Sequence, residues 1–295
     1  MTRFHGIFTP IVTPFTADDS VDVGALGRNV DRWMTTSLRG LVVLGSNGEA
    51  AQLEDDEADR AIDVVRARVP RERVLIAGTG RESTKAAIAA SQRAASAGVD
   101  AVLVRTPSFF KPQMTSELFV RHYTAVADAS PVPVLLYNVT MFTGVNLLPD
   151  AVERLAAHRN IIGMKESGSD IGALAEVIAR TPDDFVVLAG SATTLVHAFC
   201  AGCHGAILAL ASLLPDECLE LQRLVQAGRL ADARRLQRRI MPLARLVGGT
   251  HGVSALKAAL DASGYEGGRP RPPLGPVAAD VVAQLRQQLE FVACS

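Results

Sequence analysis

Eight short apolar runs recur along the first two thirds of this chain, and nearly all of them lead into a stretch rich in Ala, Leu, Arg and Glu. They begin at Gly6 (GIFTPIV), Gly40 (GLVVLGS), Arg73 (RVLIAGTG), Ala101 (AVLVRTP), Val132 (VPVLLYN), Ile161 (IIGMKES), Phe185 (FVVLAGS) and Gly205 (GAILALAS). The starts lie 34, 33, 28, 31, 29, 24 and 20 residues apart, a spacing that suits one strand and one helix per unit. Strands joined through helices must run parallel, with the helices outside. Helix-like segments fall at 55–69, 83–97, 116–129 and 170–180. Ser83, Thr115 and Asp170 are placed to cap them, and Gly98 and Pro131 to stop them. Eight such units without a Gly-x-Gly-x-x-Gly fingerprint predict a closed (β/α)8 TIM barrel rather than an open doubly wound sheet. The nearest approach, Gly78-Thr79-Gly80-Arg81-Glu82-Ser83, has Ser83 where the third glycine belongs.

We expect this barrel over residues 1–214 and a C-terminal helical extension over 215–295. Within the extension, helices are expected at 217–227 and 229–247, hinged at Gly228, and at 278–292. Leu221, Leu224, Leu236, Ile240 and Leu243 trace an apolar face that must pack on the barrel, on a neighbouring subunit, or on both. The arginines around Arg234 and Arg238 read as a solvated helix face once the neighbouring acids are counted.

With 30 Lys+Arg against 31 Asp+Glu the net charge is -1, which leaves no electrostatic footprint for nucleic acid. No apolar stretch approaches a membrane span, and the amino terminus lacks the plan of a signal peptide, so a cytoplasmic protein is expected. The four cysteines are few and lie in apolar sequence, as reduced thiols do. Cys200-Ala201-Gly202-Cys203-His204 spells a c-type haem attachment motif, but its apolar setting favours small buried side chains, and we expect neither metal nor cofactor.

In such barrels the reacting groups gather where the strands end. Strand two ends in Gly45-Ser46-Asn47-Gly48-Glu49, strand four in Thr106-Pro107-Ser108-Phe109-Phe110, strand five in Tyr137-Asn138, strand six in Lys165-Glu166-Ser167 and strand seven in Gly190-Ser191. Each has a plain reading when taken alone. Lys165 can end a strand and reach into water, Tyr137 can be a half-buried strand residue, and a Ser-Asn-Gly turn usually only starts a helix. At one barrel mouth they make a set suited to a 2-oxo acid. An amine attacks the carbonyl and forms an imine that serves as electron sink, a phenol moves protons, and backbone N–H groups hold a carboxylate.

The chain resembles the pyruvate-dependent class I aldolase family that includes dihydrodipicolinate synthase and N-acetylneuraminate lyase. The likeness runs from Gly6-Ile7-Phe8-Thr9-Pro10 to the helical tail, through Gly45–Glu49, Tyr137-Asn138, Thr143-Gly144 and Gly163-Met164-Lys165-Glu166. Within the family, Gly45–Glu49, Gly163–Gly168 and Val187–Ala192 most resemble 4-hydroxy-2-oxoglutarate aldolase. The resemblance implies Lys165 as the imine-forming lysine and Tyr137 as the proton shuttle, with Ser46 and Asn47 on the pyruvate carboxylate. It implies Ile207 and Gly190 in the pocket, and Ser167, Phe110 and Phe142 near the distal part of the substrate. The partners it implies are pyruvate and an aldehyde. It further implies a homotetramer built from tight dimers, working without a metal or organic cofactor.

Two departures bear on the substrate. Met141 and Phe142 precede Thr143 where dihydrodipicolinate synthase carries an arginine for its second substrate's carboxylate, and an apolar side chain cannot replace a bidentate clamp. Phe109-Phe110 stands where the family usually has a tyrosine that enters the neighbouring subunit's site. Cleavage of 4-hydroxy-2-oxoglutarate to pyruvate and glyoxylate is the leading expectation. A 2-keto-3-deoxy sugar acid aldolase or dehydratase, 4-hydroxy-tetrahydrodipicolinate synthase, and a non-catalytic 2-oxo-acid-binding protein are the alternatives.

Overall fold

A computed structural model describes residues 3–294. Its strands are β1 (Gly6–Pro10), β2 (Gly40–Val43), β3 (Val74–Gly78), β4 (Ala101–Arg105), β5 (Val134–Asn138), β6 (Ile161–Glu166), β7 (Val186–Ala189) and β8 (Gly205–Ile207). They pair in parallel in chain order, and β8 returns to β1, so the sheet closes into the expected barrel. The intervening helices are α1 (Val23–Met34), α2 (Asp55–Arg66), α3 (Thr84–Ser96), α4 (Ser116–Ala129), α5 (Thr140–Thr143), α6 (Pro149–Ala156), α7 (Ile171–Arg180) and α8 (Leu195–Cys200). The expected caps form: Ser83, Thr115 and Asp170 each accept a hydrogen bond from a first-turn N–H.

Beyond β8 lie α9 (Pro215–Gln226), α10 (Leu230–Arg245), α11 (Gly252–Ala262) and α12 (Ala279–Ala293). Helix α9 packs against α8 and β1, the position of the eighth barrel helix. Residues 215–226 therefore sit in the barrel's outer layer, and the extension proper is α10 to α12. Helix α11 escaped the sequence reading because Gly248, Gly249 and Gly252 break the chain just before it. It is held by burying Ala255, Leu256, Ala259 and Leu260.

Strand residues alternate between two apolar clusters. In β3, Val74 and Ile76 face the barrel interior, and Leu75 and Ala77 face the helices. In β5, Leu135 and Tyr137 point in, and Val134 and Leu136 point out. β6 breaks this alternation. Val134 pairs with Ile161, but Leu135 pairs with Gly163, so Ile162 is an extra residue in a bulge. Ile162 packs on the inner cluster, yet Met164 lies in the outer one. A regular strand would turn Met164 inward with Ile162 and send Lys165 out. The bulge reverses that parity. Gly163 is required there, since a Cβ would stand 2.2 Å from the Val186 carbonyl oxygen.

Candidate active site at the carboxyl ends of the strands

With the bulge in place, register aligns Tyr137 of β5 with Lys165 of β6. Both are buried. The Lys165 Nζ donates to the Tyr137 hydroxyl over 3.4 Å and lies 4.4 Å from the centre of its ring. The same hydroxyl lies 3.2 Å from the Ser46 Oγ. One phenol oxygen thus stands between the amine and the Ser46–Asn47 turn.

That turn is held from outside the barrel. Leu44 (φ 58°) and Glu49 (φ 53°) adopt left-handed backbone conformations on either side of it, a strain that persists only where surrounding contacts over-determine it. The Thr13 hydroxyl donates to the Gly48 carbonyl at 2.7 Å. The Glu49 carboxylate meets the Lys257 ammonium of α11 at 2.5 Å, with only 1% of either side chain exposed, and accepts the Arg271 N–H at 2.8 Å. Lys257 also donates to the carbonyls of Thr13 and Arg269, at 2.8 and 2.7 Å. Burial pulls the Lys257 amine below its ordinary range, and the Glu49 charge opposes that fall. The Arg271 guanidinium bonds both Glu57 carboxylate oxygens at 2.7 Å. The extension therefore anchors the turn, through residues that sequence reading missed. Lys257 and Arg271 lie far from Glu49 in the chain, and no local pattern marks them as its partners.

The end of β6 is fixed in a similar way. The Asn138 amide donates to Glu166 at 2.7 Å, and the Gly168 N–H does so at 2.6 Å. Burial nevertheless pushes the Glu166 carboxyl above its usual range. Gly190 comes so close that a Cβ would lie 2.0 Å from the Ser167 Oγ, and its N–H donates to the Glu166 carbonyl.

Eight of the nine expected site residues line one cavity of about 220 Å³ at this mouth: Lys165, Tyr137, Ser46, Asn47, Ser167, Gly190, Ile207 and Phe142. Phe110 does not line it within a single chain. It is 61% exposed, and its ring stands edge-on to Phe109 at 5.1 Å. The loop turns outward because Glu82 accepts the Ser108 and Phe109 N–H groups. Burial opposes ionisation of Glu82, but these donors and Arg105 together hold its carboxyl below the usual range. Cys200 is exposed and Cys203 buried, both as free thiols, and the His204 Nδ1 accepts the Val187 N–H. Among the described residues no group of three or more His, Cys, Asp or Glu is placed to hold a metal, and no helix is long and apolar enough to cross a membrane.

The sequence pattern of the dihydrodipicolinate synthetase family matches residues 3–292. The chain belongs to that family. It is 34% identical over 291 residues to the 4-hydroxy-tetrahydrodipicolinate synthase of Exiguobacterium sp., covering 97% of each chain. It is 36% identical over 282 residues to the Geobacter sulfurreducens protein of the same name, covering 96% of each. The dihydrodipicolinate synthase structure from Thermotoga maritima superposes with a TM-score of 0.94 at 28% identity, covering 100% of each chain. As a family member the protein is a lyase.

Proposed function

We propose that the protein forms an imine between Lys165 and a 2-oxo acid, and makes or breaks the carbon–carbon bond next to a pyruvate unit. The leading specific reaction is retro-aldol cleavage of 4-hydroxy-2-oxoglutarate. The observation that carries this reading is the Tyr137 hydroxyl, set between the Lys165 amine at 3.4 Å and the Ser46 hydroxyl at 3.2 Å. The amine adds to C2, a proton is taken up from solvent as water leaves, and a protonated imine results. The Tyr137 oxygen takes the C4 hydroxyl proton while its own proton passes to Ser46, whose hydroxyl proton passes on to solvent. The C3–C4 bond breaks, its electron pair enters the imine to give an enamine, and glyoxylate departs. A proton returned to C3 and hydrolysis of the imine release pyruvate and the free amine. Ser46 and Asn47 hold the pyruvate carboxylate throughout.

A second reading is favoured by the names of the relatives: condensation of pyruvate with aspartate semialdehyde, as in 4-hydroxy-tetrahydrodipicolinate synthase. Phe142, in the place of that enzyme's carboxylate-binding arginine, speaks against it. Assembly as a dimer of dimers belongs to the same proposal and is supported by the exposed Phe109, Phe110, Met141 and Phe142.

The protein is incubated with pyruvate, reduced with borohydride and mapped by mass. A pyruvyl adduct on Lys165, lost in Lys165→Ala, is the expected result. A well-folded wild type with no adduct refutes the imine. Pyruvate release from 4-hydroxy-2-oxoglutarate, set against consumption of aspartate semialdehyde, separates the two readings.

A further inference from the structure

The cavity carries a charge that the chemistry at Lys165 does not use. Lys165 and Arg245 are the basic side chains among its lining residues, and none of these residues carries a carboxylate. Arg245 closes α10, just before a wide turn of π-helical pitch at Leu246–Thr250. Arg229 and Arg235 both meet Asp232, and Arg239 meets Glu217 at 4.0 Å, whereas Arg234 and Arg238 are exposed and do not line the cavity. Arg245 has no hydrogen-bond or ion-pair partner among the described residues. A cation in a last helical turn is favoured by the helix dipole, but the dipole does not ask for a place on a cavity wall.

The position of α10 is set against the substrate side of the barrel. The Gln237 amide donates to the Ala192 carbonyl at 2.8 Å, and its oxygen accepts the Val196 N–H at 3.2 Å. α10 is thereby clasped to the loop after β7, where Ser191 and Thr193 also line the cavity. Seven residues on, about two turns, Ala244 returns to the same face and Arg245 follows it. The clasp thus brings the end of α10 to the wall of the cavity that Ser46, Asn47 and Lys165 also line.

We infer that Arg245 anchors the far carboxylate of a 2-oxo dicarboxylic acid, and so supplies the anion recognition that Phe142 cannot. This rests on the reading above, in which the near carboxylate sits at Ser46–Asn47 and C2 at Lys165. A guanidinium is suited to the task because it can hold a carboxylate through two parallel hydrogen bonds.

The test compares binding of 2-oxoglutarate with that of 2-oxopentanoate, which has the same chain length and lacks the second carboxylate. Dissociation constants are measured for wild type, Arg245→Met and Arg245→Lys. Wild type should prefer the dicarboxylate by about 10- to 100-fold, the worth of a hydrogen-bonded charge. Arg245→Met should cut the preference to about threefold or less while leaving 2-oxopentanoate binding unchanged, and Arg245→Lys should restore part of it. An undiminished preference in Arg245→Met, or equal weakening of both ligands, overturns the inference. Borohydride trapping on Lys165 is read in parallel. A preference that depends on Arg245 without an adduct refutes the lyase reading alone, and an adduct without the preference refutes the Arg245 anchor alone.

Discussion

The bulge in β6 is the feature on which the site's geometry turns, and Gly163→Ala perturbs it directly. A Cβ at position 163 would stand 2.2 Å from the Val186 carbonyl oxygen, whereas real contacts essentially never fall below 3.0 Å. Strands β6 and β7 must therefore part by about 0.8 Å, or the bulge must rearrange. The obstacle is backbone, so no flexible side chain can yield. Overpacking of this kind costs about 1–3 kcal/mol. The shift falls two residues from Lys165, whose amine is already 3.4 Å from Tyr137. A misplacement near 1 Å costs about 100-fold in rate, so imine trapping should slow by about 30- to 100-fold. Stability is read from urea unfolding and chemistry from the rate of borohydride-trapped adduct. Gly275→Ala, where a Cβ meets nothing within 4 Å, is the control. A Gly163→Ala protein that traps pyruvate at the wild-type rate and loses under about 0.5 kcal/mol would refute the claim that the bulge sets the lysine's direction.

Two further predictions concern stability. Lys257→Met strands the buried Glu49 carboxylate and should cost about 3–5 kcal/mol in urea unfolding, while Glu49→Gln/Lys257→Met recovers part of the loss. If the single and double variants are equally unstable, the ion pair is not what holds the turn. His122 is buried beside Thr84, and burial lowers its folded pKa from 6.5 to about 4. The unfolded chain binds this proton more readily, so its contribution is complete above pH 6.5 and is lost as pH falls from there through 4. The loss should approach about 3 kcal/mol. His122→Gln should flatten the urea midpoint over that range, and an unchanged slope would refute the assignment. Glu166, shifted in the opposite sense, is common to both proteins and cancels.

Much of this molecule is legible in its sequence because the signals are local. Each apolar run needs cover on both faces, several helices carry their own period and cap, and the repeat of the pair dictates a closed parallel barrel. Lys165, Tyr137 and Ser46 were legible for the same reason: each lies at or just after the end of a strand, and the ends of barrel strands share one mouth. Other facts are not local. Ile161-Ile162-Gly163 gives no sign that Ile162 is supernumerary, because the bulge exists only in the pairing with β5 and the close approach of Val186. Without it the lysine would face the helices. The partnership of Glu49 with Lys257 and Arg271 joins residues more than 200 positions apart, and it forms only once the extension folds back over β2. The sequence by itself determined the barrel and put an amine and a phenol at its rim. Tertiary structure decided which way the amine points and what holds the turn it works against, because side-chain direction and buried charge pairing depend on register and on contacts between elements.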